Sequence, residues 1–132
     1  MKTYQGSCHC GAIRFEADLD AHQSTIRCNY SFCRKIRCWA VQVEPACFRL
    51  MAGQSALSEY QFGSKIERHF FCKHCGARPF GRGNSPRLGP FYGVSINCLD
   101  NLAPDDLANM PITYVDGAND TWDAPPELTA HL

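Results

Sequence analysis

Polar and apolar residues alternate with period two along most of the chain. Ile13, Phe15, Ala17 and Leu19 alternate with Arg14, Glu16, Asp18 and Asp20, the pattern of a strand with one face in a core and the other in water. Trp39, Val41 and Val43 alternate in the same way with Ala40, Gln42 and Glu44. A short strand is predicted from Phe48 to Met51, ended by Gly53, and another from Ile66 to Phe71. Tyr60 and Phe62 share a face ahead of a turn at Gly63-Ser64. Tyr92, Val94 and Ile96 alternate with Gly93, Ser95 and Asn97, and a late strand runs near Ile112 to Val115, before Asp116-Gly117. One helix is predicted: Asp100 or Asn101 as its cap, Pro104 in the first turn, Asp105-Asp106 at the positive end of its dipole, and Pro111 as the stop. Many short strands separated by turns predict a mainly β fold, an antiparallel sandwich or open barrel with one short C-terminal helix. The aromatic residues Phe15, Trp39, Phe48, Tyr60, Phe62, Phe70 and Tyr92 are assigned to the core.

Composition narrows the class. A chain of 132 residues, 45% hydrophobic and 20% charged, suits one globular domain and argues against disorder. The 13 basic and 13 acidic side chains cancel, so neither a nucleic-acid nor a membrane partner is expected. The balance is uneven, however. All 13 Lys and Arg lie at or before Arg87, against six acids in residues 1–99, whereas the other seven acids lie from Asp100 onward. Residues 1–99 therefore carry +7 and residues 100–132 carry −7. Either the tail packs back and neutralises the body, the simpler expectation, or the body offers a face to anions. No apolar signal segment opens the chain and no run approaches the ~20 apolar residues of a membrane span, so a cytoplasmic location is expected. Nine cysteines, an odd number, in a reducing compartment point to metal or catalysis rather than to a disulfide framework.

Four of them have metal-ligand spacing. Cys8-His9-Cys10-Gly11 is a C-x-C and Cys72-Lys73-His74-Cys75-Gly76 a C-x-x-C, each followed by glycine. Four thiolates form a closed tetrahedral shell for zinc. Glycine after each pair permits positive φ and lets amide N–H groups approach the sulfurs. With 61 residues between the pairs, a zinc ion here would clamp the start of the fold to its middle. A thioredoxin-like redox role for Cys72 and Cys75 is the competing reading, disfavoured by the absence of a βαβ context. His9 or His74 as a replacement ligand is another.

Cys28-Asn29-Tyr30-Ser31-Phe32-Cys33 carries two more thiols, surrounded by Arg27, Arg34, Lys35 and Arg37. Those charges lower thiol pKa values and attract anions. On residue types alone, a solvated basic loop with two reduced thiols explains the segment equally well.

Taken in order, these motifs resemble one family. Cys8-His9-Cys10-Gly11, Cys28-Asn29-x-Ser31-x-Cys33-Arg34-Lys35, Tyr60-x-Phe62, Phe71-Cys72-x-x-Cys75-Gly76, Cys98-Leu99-Asp100 and Val115-Asp116-Gly117 with Trp122 are similar to the glutathione-dependent formaldehyde-activating enzymes, a family that includes the domain of centromere protein V. The resemblance covers residues 4–123, leaving 124–132 as a C-terminal tail. It implies an Mss4-like fold of two antiparallel sheets, with a structural zinc on Cys8, Cys10, Cys72 and Cys75. It further implies a catalytic zinc on a C-x-C-x-x-C whose outer ligands are Cys28 and Cys33, and here Tyr30 stands where the middle cysteine belongs. Cys38 is a candidate third thiolate, or a strand residue beside Trp39; Cys47 and Cys98 are read as small buried residues.

The chemistry so implied is that of a carbon–sulfur lyase, forming or cleaving S-hydroxymethyl glutathione, with Arg27, Arg34, Lys35 and Arg37 meeting the carboxylates of glutathione. The alternative is a non-catalytic, zinc-stabilised binding module whose second metal site is lost through Tyr30.

Overall fold

The computed structural model describes residues 1–132. Three strands, β1 (Lys2–Ser7), β2 (Arg14–Leu19) and β5 (Phe48–Ala52), form a small sheet in the order β1-β2-β5. Seven more form a large sheet: β3 (Thr25–Cys28), β4 (Trp39–Val43), β6 (Leu57–Tyr60), β7 (Arg68–Cys72), β8 (Phe80–Ser85), β9 (Gly89–Ser95) and β10 (Ile112–Val115). Their order is β10-β3-β4-β9-β8-β7-β6. The architecture is mainly β and is not a closed barrel. All pairings are antiparallel except one: β10 lies parallel to β3, with Val115 opposite Cys28. That exception to the antiparallel expectation is possible because the chain crosses the rest of the large sheet between the two strands.

The alternation seen in the sequence sets the core. Phe15, Ala17 and Leu19 of β2 and Val41 and Val43 of β4 turn inward, and the residues between them are less buried. Phe15 stacks on Phe48 with centroids 5.5 Å apart, Phe48 on Tyr92 at 4.2 Å, and Phe80 meets Phe15 edge-on at 6.0 Å. Burying one such ring stabilises the fold by up to about 3 kcal/mol. Tyr60 departs from its assignment to the core: it is 47% exposed, because β6 is the last strand of the large sheet.

Two helices flank the sheets. The predicted one, α2 (Pro104–Ala108), forms, but Ala103 is its cap, and the Asp106 carboxylate accepts from the Ala103 N–H at 3.2 Å. Asp100 and Asn101 are engaged elsewhere. Asp100 Oδ2 accepts from the Ser7 hydroxyl at 2.7 Å, and Asn101 Oδ1 accepts from the Gln5 N–H at 3.0 Å, which stitches the chain onto β1. The other helix, α1 (Ser31–Ile36), lies in the segment read as a basic loop, and it joins β3 to β4. No helix is long and apolar enough to cross a membrane.

The C-terminal quarter packs back as expected, but through backbone pairing and hydrogen bonds. The ion pairs are Arg49 with Glu16 and Asp18, and Arg68 with Glu59; none uses an acid beyond residue 99. The cations around α1 are therefore left without an acidic partner from the tail.

Candidate functional site

The first cysteine set converges. Cys8 and Cys10 lie in the turn between β1 and β2, Cys72 ends β7, and Cys75 follows in the turn toward β8. Their four sulfurs all lie within 4.8 Å of one another and could hold a metal ion. Cys8 Sγ and Cys10 Sγ are 3.6 Å apart, and Cys10 Sγ and Cys72 Sγ 3.7 Å. A tetrahedron with metal–sulfur bonds near 2.3 Å has edges of about 3.8 Å, so the spacing suits zinc.

Backbone amides complete this arrangement. The Ile13 N–H donates to Cys8 Sγ at 3.3 Å, and the His74 N–H donates to Cys72 Sγ at 3.4 Å. Gly11 (φ 81°) and Gly76 (φ 77°) adopt the left-handed conformation in the turns that follow the two cysteine pairs. The amides of Ala77 and Cys10 stabilise the Cys75 thiolate and lower its pKa to about 6. Cys10 is pushed up to about 11: the Ala12 amide favours its thiolate, but burial and the neighbouring Cys72, Cys8 and Cys75 thiols oppose a further negative charge. A metal cation relieves that repulsion. His9 and His74 are exposed, and neither belongs to the converging set.

The second set is built around α1. Cys28 is the last residue of β3 and is buried, while Cys33 sits in α1 and is half-buried. Tyr30 precedes the helix, and its N–H donates to Cys28 Sγ at 3.3 Å. Its ring stacks on Phe62 (5.7 Å) and lies tilted beside Trp122 (5.9 Å). The residue in the middle-ligand position thus supplies an amide and an aromatic wall. Phe32 extends that wall over His69 at 4.1 Å and Tyr60 at 5.5 Å.

The C-terminal segment closes this side. Asn29 Nδ2 donates to Asp116 Oδ1 at 2.8 Å, and the Ala118 N–H donates to Asn29 Oδ1 at 2.9 Å. Gly117 packs so tightly that a Cβ there would lie 2.7 Å from Cys28 Sγ and 2.7 Å from the Trp122 ring.

Cys38 joins the set from the start of β4. Cys33 lies midway along the chain between Cys28 and Cys38, and both of those thiols act on its titration. The proton is held on Cys33, whose pKa is raised by those two neighbours, whereas Cys28 is lowered to about 7 by Cys33 and by the amides of Tyr30 and Gly117. Cys38 is also lowered to about 7, by Cys33 and then by the positive charges of Arg78 and Arg27. Arg78 Nη1 reaches Cys38 Sγ at 4.0 Å, and Arg78 Nη2 contacts His69 Nδ1 at 3.0 Å. Neither Arg78 nor His69 was singled out in the sequence; both are isolated residues brought here by β7 and the turn after it.

Of the predicted cations, Arg34, Lys35 and Arg37 are exposed, and none forms an ion pair. Arg34 and Lys35 fall in the last turn of α1, where positive charge suits the helix dipole. Arg27 instead lies over the Trp39 ring, 4.8 Å from its centroid. Cys47 and Cys98 are half-buried against the core, as expected, and burial raises Cys98 to about 11.

Comparison with known proteins bears on both sets. The family described as glutathione-dependent formaldehyde-activating enzyme matches residues 3–116, a span that contains all seven of these thiols. The chain is also similar to a Rhodobacter sphaeroides protein whose crystal structure was solved as a Northeast Structural Genomics target. The two are 33% identical with a TM-score of 0.70, over 83% of this chain and 99% of that one.

Proposed function

This chain belongs to the glutathione-dependent formaldehyde-activating enzyme family, and on that footing we propose that it binds glutathione and acts as a carbon–sulfur lyase on glutathione–aldehyde adducts. The observation that carries this reading is the match over residues 3–116. In the proposal Cys8, Cys10, Cys72 and Cys75 hold a structural zinc, which their sulfur spacing and amide donors suit. Cys28 and Cys33 are the ligands of a second, catalytic zinc. A zinc ion bound there lowers the pKa of a thiol in its open position, so that the thiolate is available at neutral pH.

The chain's own residues do the remainder. Arg34, Lys35 and Arg37, free of ion pairs, bind the glutathione carboxylates, and Arg27 adds to the local positive field. Tyr30, Phe62 and Trp122 shield the thiol side from water. In the forward direction the glutathione sulfur adds to the aldehyde carbon. A C–S bond forms, the C=O π electrons move to oxygen, and that oxygen takes up a proton; cleavage runs the same steps backward. A small-molecule thiol as partner and a cytoplasmic location, where such thiols stay reduced, belong to the same proposal.

The test is calorimetric titration with glutathione, together with NMR measurement of exchange between free formaldehyde and its glutathione adduct. Saturable binding and faster exchange are expected for the wild type, with both lost and the melting temperature kept in Cys28→Ser. Wild-type protein that neither binds glutathione nor speeds exchange rules the reading out. One observation favours a second reading, a zinc-stabilised binding module without catalysis: the Tyr30 ring packs with Phe62 and Trp122 in an aromatic cluster. That reading expects one zinc per chain and no acceleration of exchange.

A further inference from the structure

We propose that Cys38 is the third thiolate of the second centre, completing with Cys28 and Cys33 the zinc shell that Tyr30 leaves short; the inference rests on the second zinc of the preceding reading. The argument starts from strand register. β3 and β4 pair antiparallel, with Ile26 opposite Ala40 and Arg27 opposite Trp39. One step further, the same register sets Cys28 facing Cys38. Directly opposed residues of an antiparallel pair have Cβ atoms about 4.5–5.5 Å apart and side chains on the same face. Arg27 lying over Trp39 at 4.8 Å shows such a cross-strand pair on one face. Cys28 and Cys38 then share the opposite face.

The connection between the strands brings in the third sulfur. Cys33 is five residues from each of the other two, in α1. The helix ends at Arg37, whose left-handed conformation (φ 49°, ψ 55°) folds the chain back, and the Cys38 N–H donates to the Cys33 carbonyl at 2.9 Å. The hydrogen bond fixes Cys33 on the turn that links the two opposed cysteines, on the same side of the β3–β4 pair. The three sulfurs are less tightly gathered than the first set, the one group whose ligand atoms all converge. A metal is what would draw Cys28 and Cys38 together across Cys33. Arg78, 4.0 Å from Cys38 Sγ, offsets the negative charge that three thiolates concentrate. Three protein ligands leave one tetrahedral position open, the arrangement of a catalytic rather than a structural zinc.

The experiment counts zinc per chain by native mass spectrometry and measures the affinity of the second ion by competition with a chromophoric chelator. Wild type, Cys38→Ser, Tyr30→Cys/Cys38→Ser and, as a cysteine outside both sets, Cys47→Ser are compared at matched melting temperature. Two zincs are expected for the wild type and for Cys47→Ser. Cys38→Ser should lose more than the roughly 10–100-fold in second-site affinity that removal of an outer partner brings. Tyr30→Cys/Cys38→Ser should regain two. Cys38→Ser with two zincs at unchanged affinity overturns the role of Cys38 and leaves the glutathione reading standing. A wild type with one zinc also overturns it; the glutathione titration then decides separately whether that reading survives.

Discussion

His69 illustrates how one buried side chain acquires a role that its residue type does not announce. It is 3% exposed, its ring meets Phe32 at 4.1 Å and stacks on Phe62 at 5.7 Å, and its Nδ1 meets Arg78. Burial, and then the charge of Arg78, lower its pKa from 6.5 to about 4. The imidazole is therefore neutral at pH 7, and it steadies the guanidinium that faces Cys38. The sign of the pH effect follows from the lowered value. Between pH 6.5 and 4 the unfolded chain binds a proton at this position and the folded chain does not, so stability rises with pH across that window. The contribution is complete above pH 6.5 and is lost as pH falls to about 4, with an upper bound of about 3 kcal/mol. Denaturant unfolding of wild type and His69→Gln from pH 7 to pH 4 checks this. The stability difference between them should shift steadily against the wild type as pH falls, whereas parallel profiles would show that His69 does not titrate in this way.

Among the elements, α1 governs the candidate site, and it is also the element least visible in the sequence. It has six residues, none of them buried, and no side chain caps its start, so neither an apolar period nor a capping signal marks it. Arg34 and Lys35 read as loop charges until the helix dipole gives them a direction. The alternation in β2 and β4 is plain because each faces a core on one side only; β8, with its sequence FGRGNS, has too few apolar side chains to show it. Both cysteine pairs of the first set were legible because a tetrahedral shell needs short spacings and flanking glycines. The opposition of Cys28 and Cys38 needed the β3–β4 register, which a four-residue strand does not declare. Arg37 ends α1 in a conformation that costs a residue with a Cβ about 1 kcal/mol relative to glycine. Arg37→Gly should therefore stabilise the protein by up to about 1 kcal/mol, read as a higher denaturant midpoint, while weakening glutathione binding through the lost charge. A lower midpoint would mean that the Arg37 side chain itself supports the fold.

At the scale of the whole molecule, the first cysteine set joins the two sheets. Cys8 and Cys10 belong to the β1–β2 turn of the small sheet, and Cys72 and Cys75 to the β7–β8 turn of the large one. The sheets already share the aromatic core around Phe15 and Phe48, so the metal link acts on a structure that is packed but open at its edges. Its main effect is on the unfolded chain, where it closes a loop of 61 intervening residues. On the chain-entropy scale, a cross-link closing a loop of that size is worth about 4 kcal/mol. Chelation of the purified protein should accordingly lower its melting temperature, and added zinc should restore it. Cys72→Ala should begin near the lower value and need far more added zinc to recover, because losing one thiolate opens a closed four-sulfur shell and weakens the clamp. Cys28→Ser separates the two centres: it should keep the wild-type melting temperature while losing glutathione binding. Equal destabilisation by Cys72→Ala and Cys28→Ser would mean that both centres hold the fold together. Unchanged melting and zinc content in Cys72→Ala would remove the clamp between the sheets from the account.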